Sequence, residues 1–244
     1  EYNKMRRIVH GGRSGSRAFK RSWYDVRKRE VSMKGDVIIV EEHHRKAAAK
    51  IAAEIEDSIR ATARTYTISV AGESGSGKSE TGKALKEEIE KLGFRAEVLQ
   101  QDDYFVLPPK SNDAKRREDI TWVGAQEVRT ELLDEHLAAA QRGEKSITKP
   151  LVIYDEDRIT EEEMSLEGIE VLIAEGTYTT LLGHVDTRVF INRNRLETLE
   201  SRKKRGREEI EPFLEEVLEI EHDIISKHIT RADIVITRDY DVQL

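Results

Sequence analysis

The chain has 244 residues, 41 Lys and Arg against 48 Asp and Glu, a net charge of −7 and no cysteine. Without cysteine, a disulfide framework, a thiolate nucleophile and a Cys-based zinc site are excluded. No apolar run reaches the roughly 18–20 residues that span a bilayer, so the sequence predicts a soluble, cytoplasmic protein with enough chain for the core of one α/β domain.

Residues 1–32 hold ten Lys and Arg against Glu1, Asp25 and Glu30, and the rest of the chain carries the acidic excess. This stretch reads as a basic N-terminal arm, either flexible or added for expression, and as the one part of the chain suited to nucleic acid or another polyanion. Residues 33–65 read as an extension, with a short strand at Val37–Val40 and a helix over His44–Ala63. On that helix Ile51, Ile55 and Ile59 recur at i, i+4 and i+8 and define an inward face. His43 and His44 are adjacent, point in different directions and lack a third ligand nearby, so they read as a solvated helix start.

The kinase-like domain, expected over residues 66–244, opens on the organising motif. The alternating run from Tyr66 ends in Gly72-Glu73-Ser74-Gly75-Ser76-Gly77-Lys78-Ser79, which fits G-x-x-x-x-G-K-[ST] with a strand before it and the helix Glu80–Leu92 after it. Backbone N–H groups can converge on phosphate oxygens only where no Cβ intrudes, and the helix offers its positive N-terminal end to the anion. Nucleotide contacts are therefore expected from Gly72, Glu73, Ser74, Gly75, Ser76, Gly77, Lys78, Ser79 and Glu80. Lys78 reaches the outer phosphates and Ser79 offers a hydroxyl to Mg²⁺.

Arg95–Leu99 predicts the next strand, with Asp102 and Asp103 just past its carboxyl end, where open α/β sheets place their chemistry. Val106–Ile120, with Pro108-Pro109, predicts a loop over the site, and Gln126–Arg142 a helix ended by Gly143. Pro150–Asp155 predicts a strand that delivers Tyr154 to its tip. Ile169–Gly176 predicts a buried parallel strand closing on Glu175, a metal-directed carboxylate. Val185–Asn192 and Ala232–Thr237 predict the remaining strands. Between them, Arg195, Arg202, Lys203, Lys204, Arg205 and Arg207 read as a basic lid over the nucleotide, and Ile210–Ile229 as a core-facing helix.

The ordered set GESGSGKS, QDDYF, IYD, LIAEG, RKKRGRE and RADIVI resembles the uridine kinase and phosphoribulokinase branch of phosphate-loop kinases, over about Tyr66–Ile236. That resemblance implies a three-layer fold with a mostly parallel central sheet, helices on both faces and a helical lid. It implies ATP as donor, Mg²⁺, a small-molecule acceptor and homo-oligomers. It places Ser79, Asp102 and Glu175 at the metal, and Asp102 and Lys78 with the lid residues Arg202 and Arg205 at catalysis, with Arg207 at the nucleotide. Asp103, Tyr104, Phe105, Trp122 and Tyr154 fall at the acceptor, and Asp103 is a reserve base. The expected acceptor is a nucleoside-like molecule or a related metabolite, but the family's nucleoside-engaging Asp-His-Pro-Asp segment is replaced here by Asp119-Ile-Thr-Trp122-Val-Gly-Ala, which argues against uridine or cytidine while leaving ATP and phosphoryl transfer intact.

The expected reaction is in-line transfer of the ATP γ-phosphoryl group to a hydroxyl. Two rival readings are an ATPase or switch without a small acceptor, and a regulator that keeps the fold without catalysis. A guanine-reading Asn-Lys-x-Asp motif is absent: Asn3-Lys4 is followed by Met5-Arg6.

Overall fold

A computed structural model describes residues 38–198 and 211–244. Five strands form a parallel sheet: β1 (Tyr66–Gly72), β2 (Ala96–Gln100), β5 (Val171–Glu175), β6 (Thr187–Ile191) and β7 (Ile234–Ile236). Their spatial order is β2-β5-β1-β6-β7, and β8 (Val242–Gln243) adds an antiparallel edge. The chain leaves β1 toward β2 on one side and reaches β6 on the other, which makes the carboxyl end of β1 a topological switch point. Register brings the chemistry to that end: Gln100 and Val70 both pair with Glu175, and Gly72 pairs with Ile191.

Helices cover both faces, as the sequence predicted. Alternation along β5 divides its side chains, Val171 and Ile173 to one core and Leu172 and Ala174 to the other. The first core is closed by α1 (Glu42–Ala61), through Ile51, Ile55 and Ile59, and by α2 (Lys78–Lys91), through Leu85 and Ile89. The second is closed by α4 (Thr130–Gln141), through Leu133 and Leu137, with Tyr104, Tyr178 and Ile225. Each fully buried Leu or Ile contributes about 1.5–3 kcal/mol of transfer free energy. These faces therefore fix where the loops at the sheet's carboxyl edge can lie.

Four elements differ from the sequence reading. Residues 38–40 form no strand, and Val37 lies outside the described residues. The stretch expected as a loop contains α3 (Pro109–Glu118), with Pro109 at its first turn, where a missing N–H costs nothing. The strand expected at Pro150–Asp155 is β3 (Ser146–Ile153), which pairs antiparallel with β4 (Arg158–Ser165) in a separate two-stranded ribbon. The helix expected to run to Ile229 is α5 (Pro212–Ile225), tightening into a 3₁₀ stretch over Ser226–Arg231. Among the described residues, no helix is long and apolar enough to cross a membrane.

Candidate active site

Gly72 ends β1, and the loop that follows turns directly into α2 at Lys78. At Gly77 the backbone is left-handed, φ +97°, and an added Cβ would collide with the Tyr240 hydroxyl and with His44 Nε2. Only glycine fits there. Surrounding side chains hold the loop from outside: Thr198 Oγ1 donates to the Ser74 carbonyl at 3.1 Å and Tyr240 Oη to the Ser76 carbonyl at 2.8 Å. Glu73 is buried and its Oε1 pairs with His222 Nδ1 of α5 at 2.6 Å. Lys78 Nζ donates to the Glu73 carbonyl at 3.0 Å, so its charge already lies over the loop. The buried Ser76 hydroxyl and Glu73 Oε2 have no hydrogen-bond partner among the described residues.

Opposite the lysine, Ser79 Oγ donates to Glu175 Oε1 at 3.0 Å. Glu175 is buried at the tip of β5, and its pKa is pushed up to about 8, first by burial and next by the like charge of Asp102, against the pull of Lys78 and the Ser79 hydrogen bond. Two carboxylates and a hydroxyl brought together at this cost fit a hard divalent cation, which favours oxygen donors and keeps phosphate and water as its other ligands. Glu80 adds a further negative charge from the first turn of α2. Gly176 follows because Gln101 packs against it: a Cβ there would meet the Gln101 side chain. Gln101 Oε1 in turn accepts from the Tyr178 backbone N–H at 2.7 Å, which ties the Asp102 turn to the end of β5.

The neighbouring acids are dealt opposite roles by one short 3₁₀ turn, Gln101–Tyr104. Asp102 is half-buried and shares its field with Glu175. Asp103 is turned inward: Oδ2 accepts from Lys149 Nζ at 2.9 Å and Oδ1 from the Val152 N–H at 3.0 Å. The expectation that Asp103 is a reserve base at the acceptor is thereby corrected, because both oxygens anchor the β3–β4 ribbon. Tyr104 is corrected likewise, being fully buried with its hydroxyl 2.8 Å from His136 Nδ1. Phe105 makes an isolated bridge with Val128 and packs at the edge of the second core. Tyr154 sits half-buried in the turn between β3 and β4. The lid residues Arg202, Arg205 and Arg207 lie outside the described residues.

Trp122 belongs to a polar network that the sequence reading did not assemble. Its indole N–H donates to Asn112 Oδ1 at 2.9 Å, and Asn112 Nδ2 donates to Glu127 Oε2 at 2.6 Å. Arg116 lies 2.7 Å from Glu127 and 3.4 Å from Glu221 of α5, and the Gly124 N–H donates to Glu127 Oε1 at 2.8 Å. Burial opposes the charge on Arg116, but Glu221 and Glu127 outweigh it and raise its pKa. Tyr178, three residues past Glu175, sends its hydroxyl into the field of Glu221, Glu127 and Arg116. Tyr178 is 1% exposed and that hydroxyl has no hydrogen-bond partner among the described residues. The network borders both halves of the site. Val106, four residues past Asp102, donates its N–H to the Glu127 carbonyl, and Glu221 precedes the His222 that holds Glu73.

A parallel sheet with a phosphate loop at its switch point, and a lysine, serine and two carboxylates around that loop, is the arrangement of phosphate-loop nucleotide-binding proteins. The chain belongs to the Phosphoribulokinase / Uridine kinase family, whose model matches residues 67–243. It is 31% identical over 189 residues to the bifunctional alpha-galactosidase/sucrose kinase AgaSK of Mediterraneibacter gnavus, a match covering 72% of this chain and 20% of the relative. The chain thus spans about a fifth of the length of that curated relative. Among solved structures it is similar to D-glycerate 3-kinase from Cryptococcus neoformans, with TM-score 0.58, 11% identity and coverage of 81% of this chain and 97% of that one. It is similar as well to a structure described as a possible uridine kinase from Bacillus stearothermophilus, with TM-score 0.55, 18% identity and coverage of 78% and 97%. The family is one of small-molecule kinases with a nucleotide as phosphoryl donor.

Proposed function

We propose that the chain is an ATP-dependent kinase that transfers the γ-phosphoryl group to a hydroxyl of a polyhydroxylated, carbohydrate-like small molecule. The observation that carries this reading is the buried network of Asn112, Arg116, Glu127 and Glu221 beside the Asp102 turn, with the Tyr178 hydroxyl aimed into it and lacking a partner among the described residues. Buried polar groups are retained at such cost where a ligand completes their hydrogen bonds. A ring of hydroxyls, each both donor and acceptor, suits mixed carboxylate, guanidinium, amide and phenol partners, and the apolar face of a sugar suits an indole such as Trp122. The replacement of the Asp-His-Pro-Asp segment agrees with an acceptor other than a nucleoside, and so does the likeness to a protein named for a sucrose kinase activity.

In this reading the N–H groups of Gly72–Ser79 and the Lys78 ammonium hold the outer phosphates. Ser79, Asp102 and Glu175 would hold Mg²⁺, which would supply charge neutralisation on the phosphate oxygens. Asp102 accepts a hydrogen bond from the acceptor hydroxyl, aims its oxygen in line with the γ-phosphorus and takes its proton as the bond to phosphorus forms, while the bond from the γ-phosphorus to the β–γ bridging oxygen breaks and ADP leaves with that oxygen. Because the transition state is loose, positioning and charge balance do most of the work. The test is ADP release with sucrose, fructose, D-glycerate and uridine offered in turn. Release that rises with a sugar supports the proposal; release that rises only with uridine, or equally without acceptor, removes the carbohydrate assignment.

A further inference from the structure

We infer that helix α1, which precedes the family-matched residues, is part of the nucleotide site: His44, acting through Tyr240, is a positioning residue that aims the phosphate loop. The inference rests on the phosphate-loop reading above and adds to it a device built from the two ends of the described chain.

The directions of the hydrogen bonds are determined. The Glu41 N–H donates to His44 Nδ1 at 3.1 Å, so the neutral ring carries its proton on Nε2. That Nε2–H lies 3.2 Å from Tyr240 Oη and donates to it. Arg193 Nη1 donates to the same oxygen at 3.3 Å. With two donors already on the oxygen, the phenolic hydrogen has one place to go, the Ser76 carbonyl at 2.8 Å. A trans peptide is planar, with its C=O and N–H pointing opposite ways. Holding the Ser76 carbonyl outward therefore turns the Gly77 N–H inward, to the concave side of the loop where phosphate oxygens bind. Polarised donors in such a chain strengthen one another.

Three further observations show that the arrangement is built rather than incidental. Tyr240 sits at φ +63°, a backbone conformation unfavourable for a bulky side chain, and is held there by its own N–H on the Thr237 carbonyl at 2.9 Å. Gly77 has no room for a Cβ because the Tyr240 hydroxyl and His44 ring occupy that space. The ring of His43 packs at a tilt against Tyr240, centroids 4.1 Å apart, and Ile51, Ile55 and Ile59 lock α1 into the first core, so the histidine is presented from a rigid element. Burial lowers the His44 pKa to about 4, which keeps the ring in the neutral form the relay requires. His43 and Arg193 push in the same direction, while Glu80 and Glu41 oppose them.

The test is calorimetric binding of a non-hydrolysable ATP analogue with Mg²⁺ to the full chain, its Tyr240→Phe and His44→Phe variants and the double variant. Ile55→Val on the same helix serves as a packing control. Tyr240→Phe keeps the ring but removes the hydroxyl that holds the Ser76 carbonyl and accepts from His44 and Arg193; of these only the bond to Ser76 touches the loop, so affinity falls about three- to tenfold. His44→Phe falls by a similar factor, and the double variant is little worse than either single one, because both act on one carbonyl. Ile55→Val lowers the melting temperature and leaves affinity within about twofold, since it touches only the core. Equal affinities for wild type and both single variants, with melting temperature alone reduced, overturn the positioning role. Additive losses in the double variant overturn the relay. A wild-type chain that binds no analogue overturns the nucleotide site itself, a separate outcome from either.

Discussion

The two halves of the site are built on different principles. On the proposed nucleotide side the binding groups are backbone N–H donors in one contiguous loop, and side chains from four other segments, Thr198, His222, His44 and Tyr240, hold that loop from outside. On the proposed acceptor side the groups are themselves side chains, Asn112, Arg116, Trp122, Glu127, Tyr178 and Glu221, brought together from separate segments and largely buried. A loop of backbone donors serves any triphosphate, so it can stay constant while the supporting shell varies. A pocket of buried side chains is specific to its ligand, since each group left unpaired by the wrong molecule costs about 1–3 kcal/mol.

Neighbouring aspartates give the sharpest way to break that comparison. Asp102→Asn removes the proton acceptor without disturbing a buried anchor, so turnover falls about 10²–10⁴-fold while melting temperature and ATP-analogue affinity stay near wild type; steady-state kinetics beside calorimetry decides it. Asp103→Asn does the reverse. It takes the nearer of two counter-charges from the buried Lys149 ammonium, leaving only Glu162 at 3.7 Å, which costs up to about 3 kcal/mol, and the loss appears as a lower denaturation midpoint. A variant pair with the opposite pattern would mean that the chemistry lies on Asp103.

Tyr178→Phe probes the acceptor side alone. A buried hydroxyl with no partner among the described residues contributes nothing to the fold they form, so its removal leaves stability unchanged or slightly improved. If the acceptor completes that hydroxyl, KM for the acceptor rises about tenfold, whereas KM for ATP does not move. The nucleotide side carries a pH dependence of stability. His44 has a folded pKa of about 4 against 6.5 when unfolded, so the unfolded chain takes the proton first. Its contribution is complete above pH 6.5 and is lost as pH falls from there toward 4, and thermal melts across that window should show the decline. His44→Phe flattens this part of the curve.

The same contrast explains what could be seen in the sequence. The phosphate loop, the five parallel strands and the inward face of α1 were legible because contiguous motifs and apolar periodicity report them directly. Helix α3, PKSNDAKRRE, was invisible to that reasoning because Asn112 is its only buried residue, so it has no apolar stripe to find. Strand β4 escaped for a related reason: Arg158–Ser165 carries Glu161, Glu162 and Glu163 on a two-stranded ribbon with little core to face. His44 was read as solvated because nothing near it in sequence announces Tyr240, nearly two hundred residues later, and Tyr178 carries no motif beyond its place after Glu175-Gly176. Separating Asp102 from Asp103 required the 3₁₀ turn, whose tight winding sends adjacent side chains in different directions.

The central claim is that the loop, the metal-directed acids and the buried polar network form one two-substrate site. The most direct measurement follows the label from γ-labelled ATP in the presence of a carbohydrate acceptor, for wild type and for Asp102→Asn. The account predicts label on the sugar with wild type, little on inorganic phosphate, and neither with the variant. Label released only as inorganic phosphate, at a rate indifferent to the acceptor, would contradict it.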